Sequence, residues 1–405
     1  MRVLFLTHRL PYAANRGDRI RALYILRQLA GHAEVDLVSL VHSDDEARHA
    51  GDLHDLAATV TVARVPRLTN YARGAAALVT GRPLTHALLN APLIGTTCRR
   101  LVAAHPPDVV LAYCSSMARF ALEPPLDRFP FVLDMVDVDS EKWRTLGRTA
   151  AAPKCWIYSA EARTLSDFEA RAARTAQAVL CVNERERDLI IGLEPAANVH
   201  VLPIGVAIDE LRPTGPPSPD QRVVFCGVMN YRLNEEGALW FARTVWPLVR
   251  TRRPAARLSL VGSDPTPAIR SLAADSTIEV TGTVPDVRPY LWRSAVAVAP
   301  LLSARGVQNK VLEAVAAGLP CVVTPAVLDG LPEEVIPACM LARDAEQFAA
   351  AVVDLLGREP AERRAIAEGA NVRALSWDER LAPLLGILER AARAPASPVP
   401  RTDVA

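Results

Sequence analysis

Residues 299–324 read Ala-Pro-Leu-Leu-Ser-Ala-Arg-Gly-Val-Gln-Asn-Lys-Val-Leu-Glu-Ala-Val-Ala-Ala-Gly-Leu-Pro-Cys-Val-Val-Thr. This order of residue types spells a strand end, a loop, a short helix and the next strand. Arg305-Gly306 form the loop, where glycine lets the backbone approach a ligand closely. Val311, Leu312, Val315 and Ala316 then recur at helical spacing. Gly318 and Pro320 stop the helix, since glycine takes the left-handed cap and proline cannot continue it. The unpaired N–H groups that open such a helix favour an anion. Lys310 and Glu313 fall one turn apart on one face. A phosphate on the helix start, with a carboxylate one turn deeper on ribose hydroxyls, makes a grip for a nucleoside diphosphate. The plainer alternative at this spacing is a solvated helix start carrying an i, i+3 ion pair.

Outward from this stretch, short apolar runs alternate with helical segments along the whole chain. Runs at 3–7, 35–40, 109–113, 131–136 and 179–182 predict one parallel sheet, and those at 223–226, 258–261, 278–280, 295–299 and 321–324 a second. Between them, Pro-Thr-Gly-Pro-Pro-Ser-Pro at 213–219 excludes helix and central strand and reads as a linker. The expected plan is α/β with two doubly wound domains: 1–212, the linker 213–219, and 220–375. A last helix over 376–393 and a proline-rich tail at 394–405 complete it. A length of 405 residues agrees with two cores rather than one.

Composition narrows the function. Half the residues are hydrophobic and the net charge is +1, as in an ordinary soluble globular protein and unlike a nucleic-acid binder. The seven cysteines form no Cys-x-x-Cys and read as thiols in a reducing compartment. The apolar start at 1–6 is too short for a signal peptide, and no run reaches the roughly 18 residues of a membrane span. The expected location is the cytoplasm. The Gly-x-Gly-x-x-Gly dinucleotide signature is absent, which counts against a dehydrogenase.

The stretch at 305–323 resembles the donor-binding segment of retaining GT-B glycosyltransferases of the family 4 type. Their usual form is Glu, seven residues, then Glu-Ala-Met-Ala-x-Gly-x-Pro-Val-Val. Glu313 takes the place of the second Glu, and Arg305 stands where the first belongs. The variant Arg-Gly-Val-Gln-Asn-Lys-Val-Leu-Glu-Ala is similar to bacterial sugar transferases associated with exopolysaccharide synthesis and the PEP-CTERM/exosortase system. Leu-Phe-Leu-Thr-His-Arg-Leu-Pro-Tyr at 4–12 resembles their start. The resemblance implies two Rossmann-like domains facing across a cleft, the last helix crossing back onto the first domain, and transfer of a sugar from a nucleoside-diphosphate sugar to a hydroxyl (hexosyltransferase type). It implies no metal and no cofactor. The acceptor would be a glycan or a polyprenyl-linked intermediate.

On that resemblance, Lys310 neutralises the departing diphosphate and Glu313 binds ribose, with Arg305, Gly306, Val307, Gln308 and Asn309 forming the donor loop. Gly227 and Gly262, each after a strand, and the backbone at Val284 would meet the nucleotide; plain turns are the alternative for the glycines. Gly17, between the first strand and first helix, would face the donor phosphate and the acceptor. Family members carry an Arg and a Lys beyond the position of Gly227, where this chain has Asn230, Tyr231 and Arg232. Arg232 is either a phosphate partner or a surface arginine. Asp137-Val138-Asp139 spells the Asp-x-Asp of metal-dependent transferases, but it ends a strand of the first domain and not of the donor half. Either Asp137 or Asp139 would orient or deprotonate the acceptor hydroxyl, the alternative being that Asp139 or Ser140 caps the next helix. His8 is more a structural residue than a base. A GT-B sugar epimerase and a catalytically inactive partner subunit remain the competing functions, the second favoured by Arg305.

One signal comes from charge alone. Between Leu56 and Pro107 there is no Asp or Glu, while Arg64, Arg67, Arg73, Arg82, Arg99 and Arg100 lie among apolar residues. Such a segment suits either an anionic membrane surface or an ordinary packed helix.

Overall fold

The computed structural model describes residues 1–12, 17–304 and 307–395. The chain divides into two units, Met1–Ile204 with Arg380–Ala405, and Gly205–Glu379. Unit 1 is built on seven strands: β1 (Arg2–Thr7), β2 (Glu34–Val41), β3 (Thr59–Arg64), β4 (Val109–Tyr113), β5 (Phe131–Val136), β6 (Ala178–Cys181) and β7 (Val199–Val201). All pairings are parallel, in the order β3-β2-β1-β4-β5-β6-β7. Helices cover both faces of a parallel sheet, so its central strands lose water on both sides. Val3, Phe5, Leu6, Val109, Val110 and Leu111 are accordingly fully buried.

Unit 2 repeats the plan with six strands: β8 (Arg222–Cys226), β9 (Arg257–Val261), β10 (Ile278–Val280), β11 (Val296–Ala299), β12 (Cys321–Val323) and β13 (Cys339–Leu341). Their order is β10-β9-β8-β11-β12-β13, again all parallel. Its core is anchored by aromatics, with the Phe241 and Phe348 rings 5.6 Å apart at 71°. Pro247 has no N–H to donate, and the turn before it, Phe241–Val245, widens to π geometry between the helices Arg232–Trp240 and Trp246–Arg252.

The segment 213–219 is irregular and held on unit 2. Ser218 Oγ donates to the Arg293 carbonyl at 2.9 Å, and Arg363 Nη2 donates to the Ser218 carbonyl at 2.7 Å. The contact division between units falls earlier, after Ile204. The closing helix, Trp377–Arg393, belongs to unit 2 up to Glu379 and to unit 1 from Arg380. No helix among the described residues is long and apolar enough to cross a membrane.

Candidate active site

In unit 2 the strand order reverses between β8 and β11, which are neighbours in the sheet although β9 and β10 separate them in the chain. Ligands of open α/β sheets bind at such a switch point, beyond the carboxyl ends of the strands. The helix Asn309–Ala316 follows β11 and places Lys310 there. The Lys310 ammonium donates to Asn234 Oδ1 and lies 4.6 Å from the centre of the Phe225 ring. Asn234 is fixed in turn: its side chain is buried, and Nδ2 donates to the Val228 carbonyl at 2.9 Å.

Gly227 and Gly262 form the floor beneath this pair. A Cβ on Gly227 would lie 2.8 Å from Asn234 Nδ2 and 3.1 Å from Lys310 Nζ. Gly262 has φ +148°, and a Cβ there would fall 1.8 Å from the Gly227 carbonyl oxygen. The chain after β8 therefore crosses the chain after β9 backbone to backbone, which only glycine allows.

Glu313 stands one turn beyond Lys310, and its carboxyl has no hydrogen-bond or ion-pair partner among the described residues. Burial raises its carboxyl to about 7, and the Lys310 ammonium pulls it back only in part. Burial likewise lowers Lys310 to about 8, against the upward pull of Cys226 and Glu313. The Cys226 thiol, pushed up to about 12 by burial and then by Glu313, is inert.

The helix start itself is open. Gln308 is its cap position and offers no side-chain cap bond; its carbonyl takes the Val311 N–H at 2.9 Å, and the Asn309 and Lys310 N–H groups have no acceptor among the described residues. Asn309, the first helical residue, carries a buried Oδ1 with no partner. Val307 packs on the core of unit 2, as does Val284, whose N–H and carbonyl are unbonded among the described residues. Arg305 and Gly306 lie outside the described residues. Arg232 stands apart: it opens the helix Arg232–Trp240 with its side chain 80% exposed and sits 3.5 Å from Glu236. The structure thus brings together Gly227, Gly262, Lys310 and Glu313, and adds Asn234.

Two family models match the chain, one in unit 2 and one over unit 1 as far as the unit boundary. Residues 220–358 match the model described as Glycosyl transferases group 1, and residues 17–205 match the Glycosyl transferase 4-like domain. The chain is a glycosyltransferase. A search of curated proteins by sequence found no match. Solved structures share the fold. Sucrose-phosphate synthase from Thermosynechococcus elongatus superposes with a TM-score of 0.63 at 16% identity, over 96% of this chain and 98% of that one. Anabaena HepE in complex with UDP gives 0.64 at 14% identity, over 96% and 100%. A mutant of S. aureus TarM in complex with Fondaparinux, alpha-GlcNAc-glycerol and UDP gives 0.62 at 9% identity, over 96% and 99%. The fold is GT-B.

In unit 1 of this glycosyltransferase, the acidic residues after β5 sit on strained backbone. Val136 has φ +64°, costly for a β-branched residue, and the β5–β6 register shifts between Asp134 and Val136. The Asp137 N–H then bonds the Met135 carbonyl at 2.8 Å. Asp137 stays open to solvent, yet partial burial of its carboxyl, then Glu186 and Asp139, raises it to about 6. A carboxyl at that level can take a proton from, or return one to, a hydroxyl near neutral pH. Asp139 accepts from Ser115 Oγ at 3.3 Å.

Neither Asp139 nor Ser140 caps the helix that follows β5. The helix Asp139–Thr149 takes Val138 as its cap, with no side-chain cap bond, so Asp139 and Ser140 are its first two residues. Two acids that the sequence did not point to complete the cluster. Glu186 Oε2 accepts from the Val138 N–H at 2.9 Å, and the buried Glu169 receives the Ser140 N–H at 3.4 Å. Burial raises Glu169 to about 8, so it is neutral at pH 7. Gly17 is the first residue of the helix Gly17–Ala30, and residues 13–16 before it lie outside the described residues. His8 stacks on Tyr113 at 5.8 Å between ring centres, in keeping with a structural role.

Proposed function

We propose that this glycosyltransferase moves a sugar from a nucleoside-diphosphate sugar to a hydroxyl of a glycan or polyprenyl-linked acceptor, with retention at the anomeric carbon. The observation that carries the reading is the Lys310–Glu313 arrangement: a fixed ammonium beside an open helix start, with an unpartnered carboxylate one turn on. The diphosphate would sit on the N–H groups of Asn309 and Lys310, with the Lys310 ammonium neutralising charge as the bond to the sugar breaks. Glu313 would accept from ribose hydroxyls, and the backbone at Val284 would meet the base. The departing phosphate, held on the same face, would assist the incoming hydroxyl. Asp137, with Asp139 beside it, would orient that hydroxyl. No step calls for a metal or cofactor.

HepE is known with UDP and with UDP and glucose, and TarM with UDP and glycan ligands. Those likenesses make uridine diphosphate the first donor nucleotide to test. The variant donor stretch, similar to that of PEP-CTERM/exosortase-associated transferases, supports a role in cytoplasmic steps of exopolysaccharide assembly. Incubation with a panel of nucleoside-diphosphate sugars, with and without a lipid-linked glycan acceptor, tests the reading. Nucleoside diphosphate should appear in step with extended acceptor, its new linkage retaining the donor's anomeric configuration. Altered sugar without acceptor would instead indicate an epimerase, and no product from any donor an inactive partner subunit.

A further inference from the structure

The helix Arg67–Thr80 buries only Asn70, Gly74 and Ala77. Asn70 pins that face, its Nδ2 donating to the Leu88 carbonyl at 2.9 Å and the Asn90 carbonyl at 2.8 Å. Gly74 admits the neighbouring helix Leu84–Leu88, since a Cβ there would lie 3.0 Å from Leu84 Cδ1. The other face is apolar and uncovered. Leu68 is 89% exposed, Val79 87%, Tyr71 68% and Leu78 42%, with exposed Ala72, Ala75 and Ala76 between them. At helical spacing these seven positions form one continuous arc. An ordinary surface helix turns its polar face outward, and contiguous exposed apolar surface marks a contact site.

Charge identifies the contact. Arg67 and Arg73 bracket the arc, exposed Arg82 follows the helix, and no acidic residue occurs between Leu56 and Pro107. Arg64 is paired with Asp44 and does not count toward this excess. Two copies meeting through this face would set unbalanced arginines against each other, whereas lipid phosphates would balance them.

We propose that the outer face of the helix Arg67–Thr80 docks on an anionic lipid bilayer, with its apolar arc in the headgroup–acyl boundary and Arg67, Arg73 and Arg82 on lipid phosphates. This proposal stands apart from the donor site. It is tested by flotation of the full chain with neutral phosphatidylcholine vesicles and with vesicles rich in phosphatidylglycerol. The wild type should float with the anionic vesicles, and less so as salt is raised. Leu68→Glu/Val79→Glu should weaken partitioning about ten-fold or more. Arg67→Ala/Arg73→Ala should weaken it by about five-fold for each arginine. Both variants should keep the wild-type melting temperature and oligomeric state. No lipid-dependent recovery of the wild type, or equal recovery of the variants, would overturn the proposal. So would a wild-type dimer that Leu68→Glu/Val79→Glu dissolves while recovery stays unchanged, because a second copy would then cover the face.

Discussion

Replacing Lys310 with alanine is expected to lower turnover by about 10²-fold or more, the scale for removing one positioned group that meets developing charge. The ammonium is held by Asn234 Oδ1 beside the start of the helix Asn309–Ala316, where on the proposed reading a leaving diphosphate would gain negative charge. If it acts in the transition state, the loss falls on kcat rather than on KM. Lys310→Gln separates charge from scaffold, because its amide can still donate to Asn234 Oδ1. It should keep the melting temperature and lose activity as the alanine variant does. The pH profile of kcat/KM gives an independent reading. Glu313 must ionise, so activity should rise as pH passes about 7. Lys310 must keep its proton, so activity should fall as pH passes about 8. The narrow maximum between these limits should lose its alkaline limb in Lys310→Gln. Turnover of both variants within a few-fold of wild type would remove Lys310 from the chemistry.

Arg21→Met should destabilise unit 1 by about 3–5 kcal/mol, the cost of leaving a buried charge without its partner. Arg21 Nε donates to Asp134 Oδ2 at 2.8 Å and Nη2 to Oδ1 at 3.4 Å, with the two side chains 2% and 0% exposed. Nη1 also donates to the Leu202 carbonyl at 2.9 Å. Thermal unfolding should show the unit 1 transition lowered by about 10 °C. The double variant Arg21→Met/Asp134→Leu should recover much of that loss, since apolar replacement of a whole buried pair is often near neutral. A single variant within about 1 kcal/mol of wild type would mean that the pair is readily hydrated. Asp134 also lies two residues before the strained Val136, so losing the pair should shift the backbone that carries Asp137.

The central strands of both sheets are legible in the sequence because burial on both faces turns each into an apolar run. β3, β7 and β13 are not, and each is a sheet edge. Their residues, Thr-Val-Thr-Val-Ala-Arg, Val-His-Val and Cys-Met-Leu, are largely half-buried, so the periodic signal fades. The same division holds at the site. Lys310 and Glu313 can be paired from local spacing along one helix. Asn234 reaches Lys310 across 76 residues and Glu186 reaches Val138 across 48, so only the strand order shows either role. Glu186 also serves the start of its own helix, its N–H donating to Asn183 Oδ1 at 2.9 Å. For Arg232 the sequence left a phosphate partner and a surface arginine open, and its side chain lies exposed beside Glu236.

The most direct test of the central claim, that the Lys310–Glu313 pocket holds a nucleoside diphosphate, is the thermal stability of wild type and Glu313→Ala with UDP, GDP, ADP and their common sugars. A ligand at 100 times its dissociation constant stabilises by roughly 2.7 kcal/mol, an easily resolved shift. One nucleotide should raise the melting temperature of the wild type and leave Glu313→Ala unmoved at the same concentration. If no nucleotide shifts the wild type, or if Glu313→Ala responds as the wild type does, the pocket is not the donor site.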